Sequence, residues 1–410
     1  VRLLVYEHVS GGGFAAEPLP PSVLSEGFGM LRTLIADFKA AGHTVTTTLD
    51  ARIAKLNPPI EADCIIPVSS SKEAQANLQK ISNETNATYV IAPETGGVLQ
   101  SLVELVEQTN ATSLNCSASA IEKASNKAGF HNFLKKNGLL TPETLMFRVL
   151  DNVAEIKQAI RGKLNFPLIF KPSDGVSCCG LSFVRNEDQV AGAIAKIKQA
   201  SSSKLFLVQE LVTGDPASVC VFSAGGKAVP VSLNRQEVNL CTPEACSGYS
   251  GGSVPFANPL RSEAFEAAKK IVESFPGLRG YVGFDFVLTE DEVVALEVNS
   301  RLTTSYVGLR KVVGFNPAQA IINAVSKCEL PTNIESCGYA YFSKVKVPNP
   351  QVDALQKTYG MNDVVSPPFL VSETIAALAL LASHGATLDE AKSRFSEAKK
   401  RVLESINRGK

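Results

Sequence analysis

Two short stretches place carboxylates in otherwise apolar surroundings: G-Y-V-G-F-D-F-V-L, ending at Leu288, and E-V-V-A-L-E-V-N-S-R-L, ending at Leu302. Side chains two apart on a strand share a face. Glu297, Asn299 and then Arg301 therefore project together from a segment whose other positions include Leu296 and Val298. Folding the chain about Glu290-Asp291 brings Asp285 within about one register step of Glu297. Asp285, Glu297 and Asn299 then offer oxygen ligands suited to a hard divalent cation. The bland alternative is the wet face of an exposed sheet, but Phe284, Phe286, Val287, Val294, Leu296 and Val298 are too apolar for a strand lying in water. Carboxylates gathered in such a segment need a cation or a proton to compensate them.

Cations stand upstream. Lys171 ends the apolar run F-P-L-I-F-K and is followed by Pro172. A cation at the end of a buried strand needs an anion, and the next turn, S-D-G-V-S-C-C-G, offers backbone N–H groups that can fold over phosphates. Lys127 opens the helical stretch K-A-G-F-H-N-F-L-K-K-N and, taken alone, reads equally as a solvated lysine. The connector V-Q-E-L-V-T-G-D, ending at Asp215, can present main-chain groups to an adenine edge. Arg235 suits a bidentate contact with a triphosphate or a substrate carboxylate, or an ordinary place on the surface.

Two glycine-rich stretches do not carry the chemistry their spacing suggests. S-G-G-G-F-A-A, residues 10–16, matches a dinucleotide fingerprint through Gly11, Gly13 and Ala16. Pro18, Pro20 and Pro21 follow and argue against the helix such a motif opens. A flexible loop at the carboxyl end of the first strand is expected instead, with Ser10 and Gly11 as candidate substrate contacts. Residues 175–180 have P-loop glycine spacing, but Leu181 stands where the lysine must be, and the stretch lies between strands.

The elements that position these groups follow from periodicity. Over residues 1–120, strands such as R-L-L-V-Y, T-V-T-T-T-L, C-I-I-P-V and T-Y-V-I-A alternate with helices, including L-R-T-L-I-A-D-F-K-A-A-G, which points to a parallel sheet with helices on both faces. Hairpins dominate from there to about residue 330, with a polar loop expected from Asn239 to Ser253. Beyond it, E-T-I-A-A-L-A-L-L-A and D-E-A-K-S-R-F-S-E-A-K-K-R-V-L-E are expected as helices.

Composition narrows the class. The chain has 410 residues, 45% hydrophobic and 20% charged, with 40 basic and 40 acidic residues. Zero net charge leaves no electrostatic footprint for nucleic acid. No apolar run approaches a membrane span, and V-R-L-L-V-Y reads as a strand rather than a leader, so a cytoplasmic protein is expected. Nine cysteines without a C-x-x-C pair read as reduced thiols and not as a zinc site.

The order of features resembles the ATP-grasp superfamily over residues 1 to about 330: Lys127 before a helix, F-P-L-I-F-K-P with its glycine-containing loop, V-Q-E-L-V-T-G-D, G-F-D-F-V-L and E-V-N-S-R-L. The resemblance implies an ATP-grasp fold of α/β class. An N-terminal α/β domain would span 1–120, a small or lid subdomain 121–215 and a large subdomain with the metal site 216–330. A small, mostly helical C-terminal extension would occupy 331–410, with no chemistry assigned to it. Carried over residue by residue, Lys127 and Lys171 resemble the ATP-phosphate lysines. Gln209, Glu210, Leu211 and Val212 resemble the adenine-contacting linker, with Asp215 near the ribose. Asp285, Glu297 and Asn299 resemble the ligands of Mg2+ or Mn2+, and Arg301 the cation beside the transferred phosphate or acyl intermediate, with Lys171 also catalytic. Many members place a glutamate after the linker glycine, whereas this chain has Asp215-Pro216.

Within the superfamily, V-Y-E-H-V-S-G-G-G, the expected helix start S-E-G-F-G-M-L at Ser25, and L-N-R-Q-E-V make the chain similar to archaeal carboxylate–amine ligases of the tyramine–glutamate type, from methanofuran biosynthesis. That resemblance implies an acyl phosphate formed from ATP and captured by an amine, with small molecules as the only partners. The polar loop at Tyr249–Gly252 would then shield the intermediate from water. An ATP-grasp carboxylase and a non-catalytic nucleotide binder are the competing readings. A homodimer is compatible with the sequence and not required by it.

Overall fold

The computed structural model describes residues 1–175, 178–348, 352–371 and 376–407. Five parallel strands open the chain: β1 (Arg2–Glu7), β2 (Thr44–Asp50), β3 (Cys64–Val68), β4 (Ala87–Ile91) and β5 (Thr112–Ser113). Their order is β3-β2-β1-β4-β5. Alternation along β1 sends Leu3 and Val5 into one apolar core, with Leu24, Phe28 and Leu31 of the helix Pro21–Ala40. Leu4 and Tyr6 enter the opposite core, with Leu78 and Leu102 from helices on the other face. The order reverses between β1 and β4, and in open α/β sheets ligands bind outside the carboxyl ends at such a switch point.

A second sheet, antiparallel throughout, comprises β6 (Thr144–Arg148), β7 (Leu168–Pro172), β8 (Ser182–Val184) and β9 (Leu205–Glu210) in the order β6-β9-β7-β8. It has its own small core, where Ile156, Ile160, Ile194 and Ile197 of two helices pack on Phe170, Phe206 and Val208.

The third sheet has eight antiparallel strands: β10 (Asp215–Ala224), β11 (Lys227–Asn239), β12 (Gly248–Val254), β13 (Gly280–Leu288), β14 (Val293–Asn299), β15 (Tyr339–Pro348), β16 (Val364–Ser366) and β17 (Ala376–Gly385). They run in the order β14-β13-β10-β11-β12-β15-β17-β16.

Several expectations change. The helix beginning near Ser25 starts at Pro21, which occupies its first turn, where a missing N–H costs nothing. The prolines after the glycine run thus delay a helix rather than prevent one. The glycine run is not a flexible loop: Val9–Gly13 forms a buried tight turn, with Val9 and Ser10 N–H donating to the Glu7 carboxylate at 3.0 and 2.6 Å. The polar stretch through Tyr249–Gly252 is strand β12, with only residues 240–247 left as a loop. The C-terminal piece is not mostly helical. Its expected helix near Ala379 is β17, whose Ala377, Ala379 and Leu381 are buried on one face, and Glu373 to Ile375 lie outside the described residues. Short alanine and leucine runs suit either state, and pairing of β17 with β15 decides for the strand. The expected helix at Leu388–Asn407 is present.

Glycines 251 and 252 admit β12 between its neighbours: a Cβ on Gly252 would run into the Arg235 carbonyl, and one on Gly251 into that of Phe342. Gly252→Ala is expected to lower unfolding free energy by about 1–3 kcal/mol in urea denaturation. Gly314→Ala, where an added Cβ meets nothing within 4 Å, should stay within about 0.5 kcal/mol of the parent.

Candidate active site

Asp285 and Glu297 face each other as direct cross-strand partners on β13 and β14, and the strands bulge immediately after Asp285. Cross-strand neighbours lie about 5 Å apart, so two bare carboxylates there repel. The surroundings offset this. Lys127, at the first turn of the helix Lys127–Lys136, brings Nζ to 2.6 Å from Glu297 Oε2 and donates to the Gly175 carbonyl at 2.9 Å. Asn299 Nδ2 donates to Asp285 at 3.0 Å, and Gln236 Nε2 at 2.9 Å. Burial and then the facing Glu297 charge push the Asp285 carboxyl upward, against the pull of Asn299 and Gln236. Burial acts upward on Glu297 too, but Lys127 and Lys171 outweigh it and hold the group below the ordinary range.

Lys171 projects from β7 toward the same charges. Burial first, then repulsion from Lys127, bring its ammonium down to about 8 from the ordinary 10.5. Arg301 donates from Nε to Glu94 Oε2 at 2.8 Å and from Nη1 to the Leu302 carbonyl at 3.1 Å.

These groups line one cavity of about 460 Å³ between the lid sheet and the large sheet. Lys127, Lys171, Asp285, Glu297, Asn299 and Arg301 share it with Gln209, Glu210, Leu211 and Val212. The linker leaves the lid as β9 and enters the large sheet as β10, so the cavity lies at a hinge between two sheets. Of the turn after Lys171, Gly175, Cys178 and Cys179 line the cavity, while Val176 and Ser177 lie outside the described residues.

Four expected residues are placed elsewhere. Asp215 and Arg235 pair with each other at 3.0 Å, each about half exposed, and neither lines the cavity. The register that aims Gln236 at Asp285 turns its neighbour Arg235 away, over the Phe256 ring. Ser10 and Gly11 also lie off the cavity. Ser10 Oγ donates to Glu7 at 2.6 Å, and Gly11 packs on Thr48.

Residues not singled out from the sequence complete the lining. Glu94 follows β4, at the carboxyl end beside the strand-order switch, where the general rule for such sheets would have found it. Glu26 comes from the interior of the helix Pro21–Ala40, an acid flanked by buried positions. Its Oε2 accepts from Thr304 Oγ1 at 2.9 Å, and its Oε1 from Lys344 Nζ of β15 at 2.6 Å. Gln236 lies in the stretch L-N-R-Q-E-V but nothing there singles it out, and Lys344, which holds Glu26 from outside the lining, carries no sequence signal beyond strand alternation.

Residues 124–305 match the ATP-grasp domain and residues 43–121 the pre-ATP-grasp domain. Solved folds agree. The chain superimposes on an ATP-grasp superfamily protein of Archaeoglobus fulgidus with TM-score 0.63 and 21% identity, covering 93% of this chain and 99% of that one. A biotin carboxylase of Campylobacter jejuni gives 0.72 at 14% identity, covering 99% and 95%. The chain thus has the ATP-grasp fold, a pre-ATP-grasp domain followed by an ATP-grasp domain. It is similar to the tyramine–L-glutamate ligases of Methanocaldococcus fervens, at 28% identity over 81% of this chain and 97% of that protein. The ligase of Methanocaldococcus jannaschii gives 26% over 75% and 84%.

Lys171 yields a pH signature. Its cost to folding is present below about 8, where the ammonium is charged in both states, and lifts as pH rises toward 10.5. A polyphosphate bound beside Lys171 would restore the proton. ATP binding at a pH of around 9 should therefore take up close to one proton, measured by calorimetry in buffers of different ionisation enthalpy. Lys171→Gln should abolish the uptake; an unchanged uptake in that variant would contradict the placement of Lys171 at the phosphates.

Proposed function

We propose that the chain joins glutamate to a small amine such as tyramine through an acyl phosphate, releasing ADP and phosphate. The observation that carries this reading is the juxtaposition of the paired carboxylates, Asp285 and Glu297, with Lys127, Lys171 and Arg301 around one cavity. The tyramine–L-glutamate ligases, similar over most of both chains, support the substrate class.

Phosphoryl transfer needs positioning and charge neutralisation more than covalent participation. Lys127 and Lys171 hold the phosphates, and the linker Gln209–Val212 meets the adenine. Arg301 stands beside the site of transfer, where it steadies charge on the migrating phosphoryl group and the acyl phosphate. The donor set suits Mg2+ or Mn2+. Asp285, Glu297 and the Asn299 carboxamide are hard oxygen donors that share one strand pair, and the buried charge of the two carboxylates calls for a cation. Among the described residues no group of three or more His, Cys, Asp or Glu converges on one point. That pattern fits an ion held by one or two carboxylates and by substrate phosphates. When bound, the ion would neutralise phosphate charge. Asp215 and Arg235 take no part in this reading. No helix among the described residues is long and apolar enough to cross a membrane, and a cytoplasmic step in methanofuran biosynthesis is part of the proposal.

Glu297→Gln removes one charge from the metal pair and the partner of Lys127. Release of ADP should fall by at least about a hundredfold with the circular dichroism spectrum unchanged; near-parental turnover would contradict the metal assignment. A substrate screen tests the reading itself. ADP release should require both glutamate and an amine from a panel that includes tyramine, and turnover with bicarbonate alone would point to a carboxylase.

A further inference from the structure

Glu26 and Glu94 line the same cavity as Arg301, yet the nucleotide chemistry uses neither. Both are close to nine-tenths buried, where an uncompensated carboxylate is costly. Lys344 and Thr304 satisfy the two oxygens of Glu26. Arg301 satisfies only Oε2 of Glu94, and Oε1, fully buried, has no partner among the described residues. Each acid is already ion-paired, Glu26 with Lys344 and Glu94 with Arg301, so what this corner leaves open is the second oxygen of Glu94. That oxygen suits a substrate group that carries positive charge.

Glutamate and a primary alkylamine both carry an ammonium group near neutrality, but glutamate's sits beside a carboxylate that Glu26 and Glu94 disfavour, so the amine of the proposed reaction is that substrate. It is also the substrate that must lose protons beside the acyl group. Attack forms the C–N bond and breaks the bond from the acyl carbon to the phosphate oxygen. Of three ammonium protons, one stays in the amide, one leaves before attack and one departs as the amide forms. A buried carboxylate with a free oxygen is suited to take the first. Tyr249, whose ring lies 5.6 Å from Lys344 Nζ, gives the same part of the cavity an aromatic wall.

Resting on the ligase reading above, we propose that Glu94 and Glu26 form the subsite for the ammonium group of the amine substrate, with Glu94 accepting its first proton. Lys344 is then a positioning residue that fixes Glu26. Both Glu26 and Lys344 lie outside the ranges that match the family domains, which end at residue 305 and begin at residue 43.

Hydroxylamine separates this proposal from the reading beneath it. It captures acyl phosphates and is largely uncharged near neutrality, so it needs neither an ammonium subsite nor a carboxylate base. With ATP and L-glutamate, the loss that Glu94→Gln or Glu26→Gln causes in hydroxamate formation from hydroxylamine should be at least about tenfold smaller than the loss it causes with tyramine. With tyramine as the amine, Glu94→Gln should lose at least about tenfold in kcat/KM, and Glu26→Gln should raise the KM for tyramine by a similar factor. The KM for glutamate and ATP should hold. Equal losses with tyramine and hydroxylamine would overturn the subsite, as would unchanged tyramine kinetics. A rise confined to the KM for glutamate would overturn it by assigning the carboxylates to the acid. No hydroxamate from the parent protein would overturn the ligase reading, and this proposal with it.

Discussion

Two carboxylates facing each other across an antiparallel hairpin burden an apolar sheet, and the architecture of this site follows from relieving that burden. Asp285 and Glu297 are fixed opposite one another by the register of β13 and β14, so neither can move away without breaking the ladder. Relief comes from Lys127 of a helix and Gln236 of β11, and from Asn299 two residues along β14 from Glu297. The same charge excess keeps Lys127 charged although burial pulls its ammonium down. A polyphosphate with its divalent cation would replace these internal pairings with external ones, since lysine meets phosphate and carboxylate meets metal. The pairings in the free protein thus mark where a ligand's charges belong.

All three sheets contribute to holding the cavity closed. The N-terminal domain reaches the turn after Lys171 through Thr95 Oγ1, which donates to the Asp174 carbonyl at 2.8 Å, and Gly96 N–H, which donates to the Asp174 carboxylate at 3.0 Å. The large sheet reaches the lid through the loop after β11. Phe183 N–H donates to the Cys241 carbonyl at 2.8 Å, and Lys196 Nζ bridges the Leu181 and Ala245 carbonyls at 2.8 and 2.6 Å. These hydrogen bonds are few and lie near the surface, so they can open at modest cost for nucleotide exchange. In the proposed reaction the cover over the intermediate would come from the lid and this loop, while Tyr249–Gly252 belong to a paired strand.

Much of the site was legible because its key residues violate local patterning. Asp285, Glu297 and Lys171 are charges in apolar strands, and a turn at Glu290-Asp291 suffices to pair the carboxylates. The N-terminal alternation of strand and helix was legible for the same reason, since its periods of 2 and 3.6 are clean. Less was legible where long-range packing decides. Residues near Ala379 suit helix and strand alike, and the partner β15 settles the matter. Gly251 and Gly252 look like loop glycines, yet they serve close approach of neighbouring strands. Asp215, a candidate for the ribose, and Arg235, a candidate for a phosphate, a substrate carboxylate or the open surface, pair with each other, which the sequence does not reveal. Glu26 and Lys344, 318 residues apart, meet only through the tertiary fold.

The central claim is that the cavity passes a phosphoryl group from ATP to a substrate carboxylate before an amine arrives. Its most direct test follows heavy oxygen from the carboxylates of labelled L-glutamate during turnover with ATP and tyramine. An acyl phosphate route predicts one labelled oxygen in each inorganic phosphate released, because the bond broken by the amine lies between the acyl carbon and that oxygen. Inorganic phosphate free of label, formed together with the amide product, would contradict the account.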